Sequence, residues 1–195
     1  MAELEGKHIV VGVTGSIAAY KSAFLVRELI KEGADVRVIM TPAACEFITP
    51  LTMATLSMNE VIVEMFPENP AQGTWHIHLG MWADLMIVAP ASANTIAKLA
   101  HGFADNALCS LALALRCPMV VAPVMDMDML QHIATQENVE ILRERGVTII
   151  EPEEGELASG LKGPGRMPEI PVIIEIIDDV VAANTGDLDG KHILI

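Results

Sequence analysis

Residues 85–95 read LMIVAPASANT, and this stretch decides the fold. Five uncharged residues form a run that is typical of a parallel strand with both faces buried. A proline and then small, hydroxyl and amide side chains follow, before a helical pattern over residues 96–100. The stretch predicts the carboxyl end of a strand, with Ser92, Asn94 and Thr95 either binding a ligand there or capping the next helix. An ordinary capped junction needs the same residue types, so both interpretations remain open.

Strand and helix patterns alternate on both sides of this stretch. We predict strands at 8–12, 35–40, 61–62, 118–122 and 146–150, and helices at 17–31, 76–83 and 170–184. Residues 67–74 contain two prolines and a glycine and are predicted to form a polar loop. This order predicts an α/β fold with a doubly wound parallel sheet, a Rossmann- or flavodoxin-like three-layer sandwich.

The composition excludes several classes of function. The 195 residues carry a net charge of −14, which argues against nucleic acid and anionic membranes as partners. Three cysteines without metal-ligand spacing predict reduced, buried thiols and no metal site. The acidic start predicts no signal peptide, and the apolar run at 107–125 is interrupted by Arg116 and Pro118. We therefore expect a cytoplasmic protein without a membrane span.

The chain repeats its own beginning near its end. Residues 4–10 read LEGKHIV, and residues 188–194 read LDGKHIL after a polar linker. A strand that begins so late needs a sheet to pair with, so the repeat favours a second domain over an isolated edge strand. We predict one domain over residues 1–184, with residues 185–195 forming a linker and the start of a truncated second domain.

Two further segments follow predicted strands and could reach the same crevice. In residues 12–16, GVTGS, Gly15 and Ser16 could hold a phosphate at the N-terminus of the following helix. The complete dinucleotide-binding pattern is absent, and a simple capped turn fits the same residues. Thr41 could present its hydroxyl to the crevice, and Phe47 could either cover a flat ring or belong to the core.

Three more segments contain residues suited to chemistry. His76 and His78 alternate, so we expect at most one imidazole to face a site and move protons there. Residues 123–129, PVMDMDM, predict either a flexible apolar wall with carboxylates aimed at a ligand or a short helix with its methionines in the core. Residues 155–167 contain four glycines and predict either a mobile flap with Lys162 and Arg166 as its cations or a surface excursion.

Taken together, these segments resemble the flavin-dependent cysteine decarboxylases. The resemblance covers nearly the whole chain, and residues 85–106 are its most specific part. Residues 15–21, GSIAAYK, add to it. The repeat at 188–195 is similar to the opening of the ligase domain that follows the decarboxylase in bifunctional members of that family.

The resemblance implies FMN as the cofactor and phosphopantothenoylcysteine, an intermediate of coenzyme A biosynthesis, as the substrate. The family oxidises the cysteine thiol to a thioaldehyde, releases CO2 and returns a hydride, which gives 4′-phosphopantetheine. The implied FMN contacts are Gly15, Ser16, Ile17, Thr41, Phe47, Ser92, Ala93, Asn94, Thr95 and Met125. The implied substrate contacts are Asp126, Asp128, Met129, Ala158, Lys162 and Arg166, and the implied catalytic residues are His76, Asp126 and Ser159. The resemblance also implies a homo-oligomer, either a trimer or a dodecamer built of trimers.

Three positions depart from the family's pattern. Leu130 stands where the family usually has a tryptophan, and the other two positions bear on the chemistry. Asp126 stands where the family usually has an asparagine that binds the substrate carboxylate, although a protonated aspartate could donate the same hydrogen bond. Ser159 stands where the family usually has a proton-donating cysteine, so water or Lys162 would supply the last proton. We expect complete decarboxylation. The alternatives are an oxidative decarboxylase of peptide C-terminal cysteines, a non-catalytic regulatory flavoprotein and a flavin prenyltransferase.

Overall fold

A five-stranded parallel sheet lies at the centre of the molecule. The computed structural model describes residues 4–66 and 73–184. The strands are β1 His8–Val13, β2 Asp35–Met40, β3 Leu85–Ala91, β4 Met119–Pro123 and β5 Thr148–Ile149. Their order is β2-β1-β3-β4-β5, so the winding reverses between β1 and β3 and opens a crevice at their carboxyl ends. The prediction of a doubly wound parallel sheet is confirmed.

Helices cover both faces of this sheet. They are α1 Ala19–Lys31, α2 Pro50–Ser57, α3 Trp75–Trp82, α4 Ala93–His101, α5 Ala107–Ala114, α6 Met127–Gln131, α7 Ile133–Glu144 and α8 Ile170–Asn184, with a 3-10 helix at Pro42–Glu46. One apolar core joins the sheet to α1, α2 and α8, and the other joins it to α3, α4, α5 and α7. All seven residues of β3 are buried, as the unbroken apolar run predicts. Within the described ranges, no helix has both the length and the apolar character needed to cross a bilayer.

Several predicted elements need correction. Helix α1 begins at Ala19 rather than at residue 17, because the intervening residues form a turn in which the Ala19 N–H donates to the Ser16 carbonyl at 2.9 Å. The predicted strand at 61–62 is wrong, since Ile62 forms only an isolated bridge with Ile39. Helices α2, α5 and α7 were not predicted. The apolar residues of α2 and α5 do not repeat with a helical period. Most of the predicted loop at 67–74 and all of residues 185–195 lie outside the described ranges, so the second domain stays a prediction.

Helix α3 packs against α5 through Gly80, the glycine in its last turn. A Cβ atom built on Gly80 would overlap the carbonyl oxygen of Ala114. The absence of a side chain therefore allows the two backbones to approach closely. This contact sets the position of α3, the helix that contains His76.

Gly80→Ala is expected to lower the free energy of unfolding by about 1–3 kcal/mol, the usual cost of overpacking. Alanine has the higher helix propensity by about 1 kcal/mol, so a glycine without a packing role would give the opposite sign. Urea denaturation measures the difference. His78→Ala, on the exposed side of α3, is the control, and it should change the free energy of unfolding by less than about 0.5 kcal/mol. A more stable Gly80→Ala protein would contradict the packing argument.

Both ends of α3 are attached to the rest of the fold through tryptophans. At its C-terminal end, Trp82 stacks on His8 with ring centroids 4.5 Å apart, and the Arg37 guanidinium lies 4.5 Å from the Trp82 ring centroid. At its N-terminal end, the Trp75 indole N–H donates to the Met65 carbonyl at 3.1 Å. Because β1 and β2 begin at His8 and Asp35, the Trp82 stack lies at the amino-terminal edge of the sheet, opposite the crevice.

Candidate functional site

A cavity of about 690 Å³ lies at the carboxyl ends of β1, β3 and β4. Its volume is typical of sites for small molecules and cofactors. Four chain segments form its walls: the β1–α1 loop, the β3–α4 loop, the β4–α6 segment, and a hairpin of strands β6 Glu153–Glu156 and β7 Lys162–Arg166. The cavity therefore occupies the place in a doubly wound sheet where ligands bind.

Thr14 joins the first two of these segments. Its side chain is fully buried, and its hydroxyl donates to the Pro90 carbonyl at 2.8 Å and accepts from the Ser92 N–H at 2.9 Å. One hydroxyl thus fixes the β1–α1 loop against the β3–α4 loop. Sequence reasoning missed this role. The available signal was a hydroxyl residue directly after a buried strand.

The β1–α1 loop brings small residues to the N-terminus of α1. Gly15, Ser16 and Ile17 line the cavity. A Cβ on Gly15 would lie 2.8 Å from the Cβ of Ala43, so close packing on the 3-10 helix requires the glycine. The Ser16 hydroxyl accepts from the Ala18 N–H at 3.3 Å. The partial positive charge of the helix N-terminus therefore faces the cavity, where it favours an anion.

The β3–α4 loop combines both interpretations of the 85–95 stretch. Ser92 and Ala93 line the cavity. Ser92 is also the N-cap of α4, because its hydroxyl accepts from the Thr95 N–H at 3.4 Å. Thr95 is buried beside this cap and Asn94 is exposed, and neither residue lines the cavity.

The segment after β4 contributes Met125, Asp126 and Met129 to the cavity wall. Asp126 caps the short helix α6, since its Oδ1 accepts from the Asp128 N–H at 3.4 Å. Asp128 itself is exposed and does not line the cavity. The predicted short helix exists, but its buried residue is Leu130 rather than a methionine.

The predicted flap is an antiparallel hairpin with a fixed contact to the β4–α6 segment. The Met125 N–H donates to the Gly165 carbonyl at 3.2 Å. A Cβ on Gly165 would overlap the Met125 carbonyl oxygen, so this approach requires a glycine. Ala158 and Arg166 line the cavity, whereas the exposed Ser159 and Lys162 do not.

Three other predicted site residues do not line the cavity of their own chain. His76 is half-buried on α3, with its ring edge-on to Trp75 at a centroid distance of 5.5 Å. The Thr41 hydroxyl caps the 3-10 helix by accepting from the Ala44 N–H at 3.3 Å. Phe47 is 49% exposed. The structure therefore brings together cofactor and substrate candidates from four segments, but it does not bring His76 to them.

The cavity wall has mixed charge. Its cations are Lys21 and Arg166, and its carboxylates are Asp126 and Glu156. The Lys21 ammonium is paired with Glu169 at 3.0 Å, so Arg166 and the N-terminus of α1 are the features of the wall that suit an anionic ligand. In the part of the chain that the structure describes, no three metal-ligating side chains cluster together.

The three cysteines play no part in this wall. Burial raises the pKa of the Cys117 thiol to about 11. Burial is also the largest cause of the raised pKa values of the Cys45 and Cys109 thiols. All three groups therefore stay protonated near neutral pH. Cys109 is buried, as the sequence predicts, whereas Cys45 and Cys117 are half-buried.

Comparison with known proteins identifies the family. A sequence profile described as Flavoprotein matches residues 1–182. The chain belongs to the Flavoprotein family. The coenzyme A biosynthesis bifunctional protein CoaBC of Bacillus subtilis is 42% identical over 193 residues, which cover 98% of this chain and 48% of that protein. The chain thus spans about half the length of the curated relatives that it matches.

Solved structures of related flavoproteins have the same fold. The FMN-dependent cysteine decarboxylase SpaF superposes with a TM-score of 0.82 and 31% identity, covering 94% of this chain and 99% of that one. A PPC decarboxylase variant complexed with pantothenoylaminoethenethiol superposes with a TM-score of 0.76 and 30% identity, covering 89% of this chain and 97% of that one. The resemblance inferred from the sequence motifs is confirmed.

Proposed function

We propose that this chain catalyses the FMN-dependent decarboxylation of 4′-phosphopantothenoyl-L-cysteine to 4′-phosphopantetheine in coenzyme A biosynthesis. The observation that carries the proposal is the cavity itself, which combines a helix N-terminus, a methionine wall and a hairpin with a cation. Support comes from the named relatives, a bifunctional coenzyme A protein and a PPC decarboxylase. We also propose a cytoplasmic location, because substrate and product are small water-soluble phosphates.

The residues of the cavity fit FMN. Gly15, Ser16 and Ala93 are small enough to let a flat ring approach the backbone, and Met125 offers an adaptable apolar surface. The N-terminus of α1 suits the phosphate of the cofactor. When bound, FMN supplies the two-electron oxidation of the substrate thiol and the later return of a hydride.

The residues of the chain bind and orient the substrate. Arg166 is the cation of the hairpin wall, and its side chain lies across Gly155, where an added Cβ would be only 2.6 Å from the Arg166 Cδ. Its guanidinium suits the carboxylate or phosphate of the substrate. Met129 and Leu157 line the cavity with apolar surface, while Asp126 presents a carboxyl group to it. Since neither Ser159 nor Lys162 lines the cavity, water supplies the last proton in this proposal.

We further propose that the active protein is a homo-oligomer, a trimer or a dodecamer of trimers, in which a neighbouring copy supplies His76. Two observations support this arrangement: His76 does not line the cavity of its own chain, and its helix exposes large apolar residues. Ile77 and Met81 on α3 are 41% and 57% exposed, and Leu113 on the adjoining α5 is 61% exposed. Apolar side chains of this size are commonly covered in oligomers.

Product analysis with phosphopantothenoylcysteine and FMN tests the proposed reaction. Formation of 4′-phosphopantetheine supports it. Accumulation of the oxidised enethiol would show that only the oxidative half occurs, as in an oxidative decarboxylase of peptide cysteines. FMN binding without any turnover would favour a regulatory flavoprotein.

Asp126→Asn is expected to keep the free energy of unfolding within about 0.5 kcal/mol of the wild type, because aspartate and asparagine are equally good N-caps. Decarboxylation should be at least as fast as in the wild type, since an amide can donate a hydrogen bond to the substrate carboxylate. Asp126→Ala is the matched control and should cost about 1 kcal/mol through loss of the α6 cap. Urea denaturation and initial rates measure both variants. An inactive but stable Asp126→Asn protein would show that the carboxylate itself is required.

A further inference from the structure

A lysine of α1 holds the base of the hairpin. Lys21 Nζ donates to the Met167 carbonyl oxygen and to Glu169 Oε1, both at 3.0 Å. Although α1 is a surface helix, the Lys21 side chain is only 14% exposed. Met167 directly follows β7, so Lys21 contacts the chain at the point where the chain leaves the hairpin.

Glu169 extends the contact to the other strand. Its backbone N–H donates to Glu153 Oε1 at 3.2 Å, and Glu153 is the first residue of β6. Lys21, Glu169 and Glu153 therefore connect α1 to both ends of the hairpin. Helix α1 follows the loop that contains Gly15 and Ser16. These contacts therefore fix the position of the hairpin relative to the opposite wall of the cavity.

The positions of the hairpin residues that line the cavity depend on these contacts at the base of the hairpin. Leu157, Arg166 and Met167 line the cavity, and each lies within or directly beside the strands whose base is held. A hydrogen bond from a charged donor is stronger than a neutral one, and partial burial protects the bond from Lys21 to the Met167 carbonyl from competition with water. The Glu169 side chain is 62% exposed, so the ion pair adds less than that bond. The hairpin is also attached near the cavity by the Met125 N–H bond to the Gly165 carbonyl and by the packing of Gly163 on Met127.

We propose that Lys21 and Glu169 are positioning residues that hold the β6–β7 hairpin over the cavity and thereby set its affinity for substrate. The role in substrate affinity rests on the proposed function; the role in holding the hairpin does not.

Lys21→Met in the FMN-loaded protein is expected to raise the KM for phosphopantothenoylcysteine about 10-fold, while kcat changes less than about 3-fold. Lys21→Arg keeps a cation able to bond both oxygens and should restore most of the affinity. Lys31→Met is the matched control: the same change on the same helix, at an exposed lysine whose partner is Glu28. Equal KM values for Lys21→Met and Lys31→Met would overturn the role in substrate affinity.

Limited trypsin digestion tests the hairpin without any need for turnover. Cleavage after Lys162 and Arg166, followed by mass spectrometry, should be about 10-fold faster in Lys21→Met than in Lys31→Met. Glu169→Gln should also speed up this cleavage, but by less than Lys21→Met does. If the wild type makes no product yet Lys21→Met is cleaved faster, the proposed function fails while the hairpin inference stands. Equal cleavage rates in the two lysine variants would overturn the inference.

Discussion

Replacing His76 by asparagine is expected to reduce decarboxylation by about 10²- to 10⁴-fold, the usual contribution of a general acid or base. The fold should survive, because His76 is only half-buried and its described ring contact is the edge of Trp75. FMN binding should change little, since the histidine does not line the cavity of its own chain. His78→Asn, two residues along the same helix, is the control and should keep most of the activity. A His76→Asn protein with the wild-type rate would remove this residue from the mechanism.

Mixing two inactive variants tests whether a neighbouring copy supplies His76. Ser16→Asp keeps an oxygen that can accept from the Ala18 N–H but sets a negative charge where the FMN phosphate should bind. Subunits of Ser16→Asp and His76→Asn, exchanged in equal amounts, should recover about one quarter of the wild-type rate, since half of the cavities and half of the histidines are intact. A rate no higher than the sum of the separate variants would contradict the shared site.

Thr14→Val is expected to weaken FMN binding at least about 10-fold and to lower the free energy of unfolding by about 1–3 kcal/mol. Valine has nearly the shape of threonine, but it leaves the Pro90 carbonyl and the Ser92 N–H without the partner they share. The two loops that form the cavity would then lose their common attachment, so the cofactor would meet a less ordered site.

Thr14→Ser separates the effect of the hydroxyl's hydrogen bonds from the effect of packing by the methyl group. Serine keeps both hydrogen bonds and loses one methyl group, so its FMN affinity should stay within about 3-fold of the wild type. Quenching of flavin fluorescence on titration gives the dissociation constants, and urea denaturation gives the stabilities. If valine and serine weakened FMN binding equally, packing of the methyl group would explain the effect and the two hydrogen bonds would not.

Local patterns predicted the parts of this fold that depend on one segment at a time. The bounds of β2 and α8 match the prediction because a buried strand and an amphipathic helix differ clearly in period. Helix α5, which reads ALCSLALA, was missed because nearly all of its residues are apolar. A helix covered on several sides shows no periodic contrast that sequence reasoning can detect.

The residues of the candidate site that directly follow strands of the sheet could be predicted, because ligand crevices form at the carboxyl ends of parallel strands. Gly15, Ser92 and Met125 line the cavity because each follows a strand of the central sheet. The bonds of Thr14 and Lys21 join residues 76 or more positions apart, and no spacing rule signals such contacts. The position of His76 was equally hidden, since it depends on how α3 packs on α5 through Gly80.

The attachment of α3 at both ends has an optical consequence. Trp75 and Trp82 are the two tryptophans of the sequence, and both belong to this eight-residue helix. Intrinsic tryptophan fluorescence therefore reports on a single element of the molecule, the helix that contains His76. Docking of another copy beside that element would alter the emission, so unlabelled protein contains its own reporter of assembly.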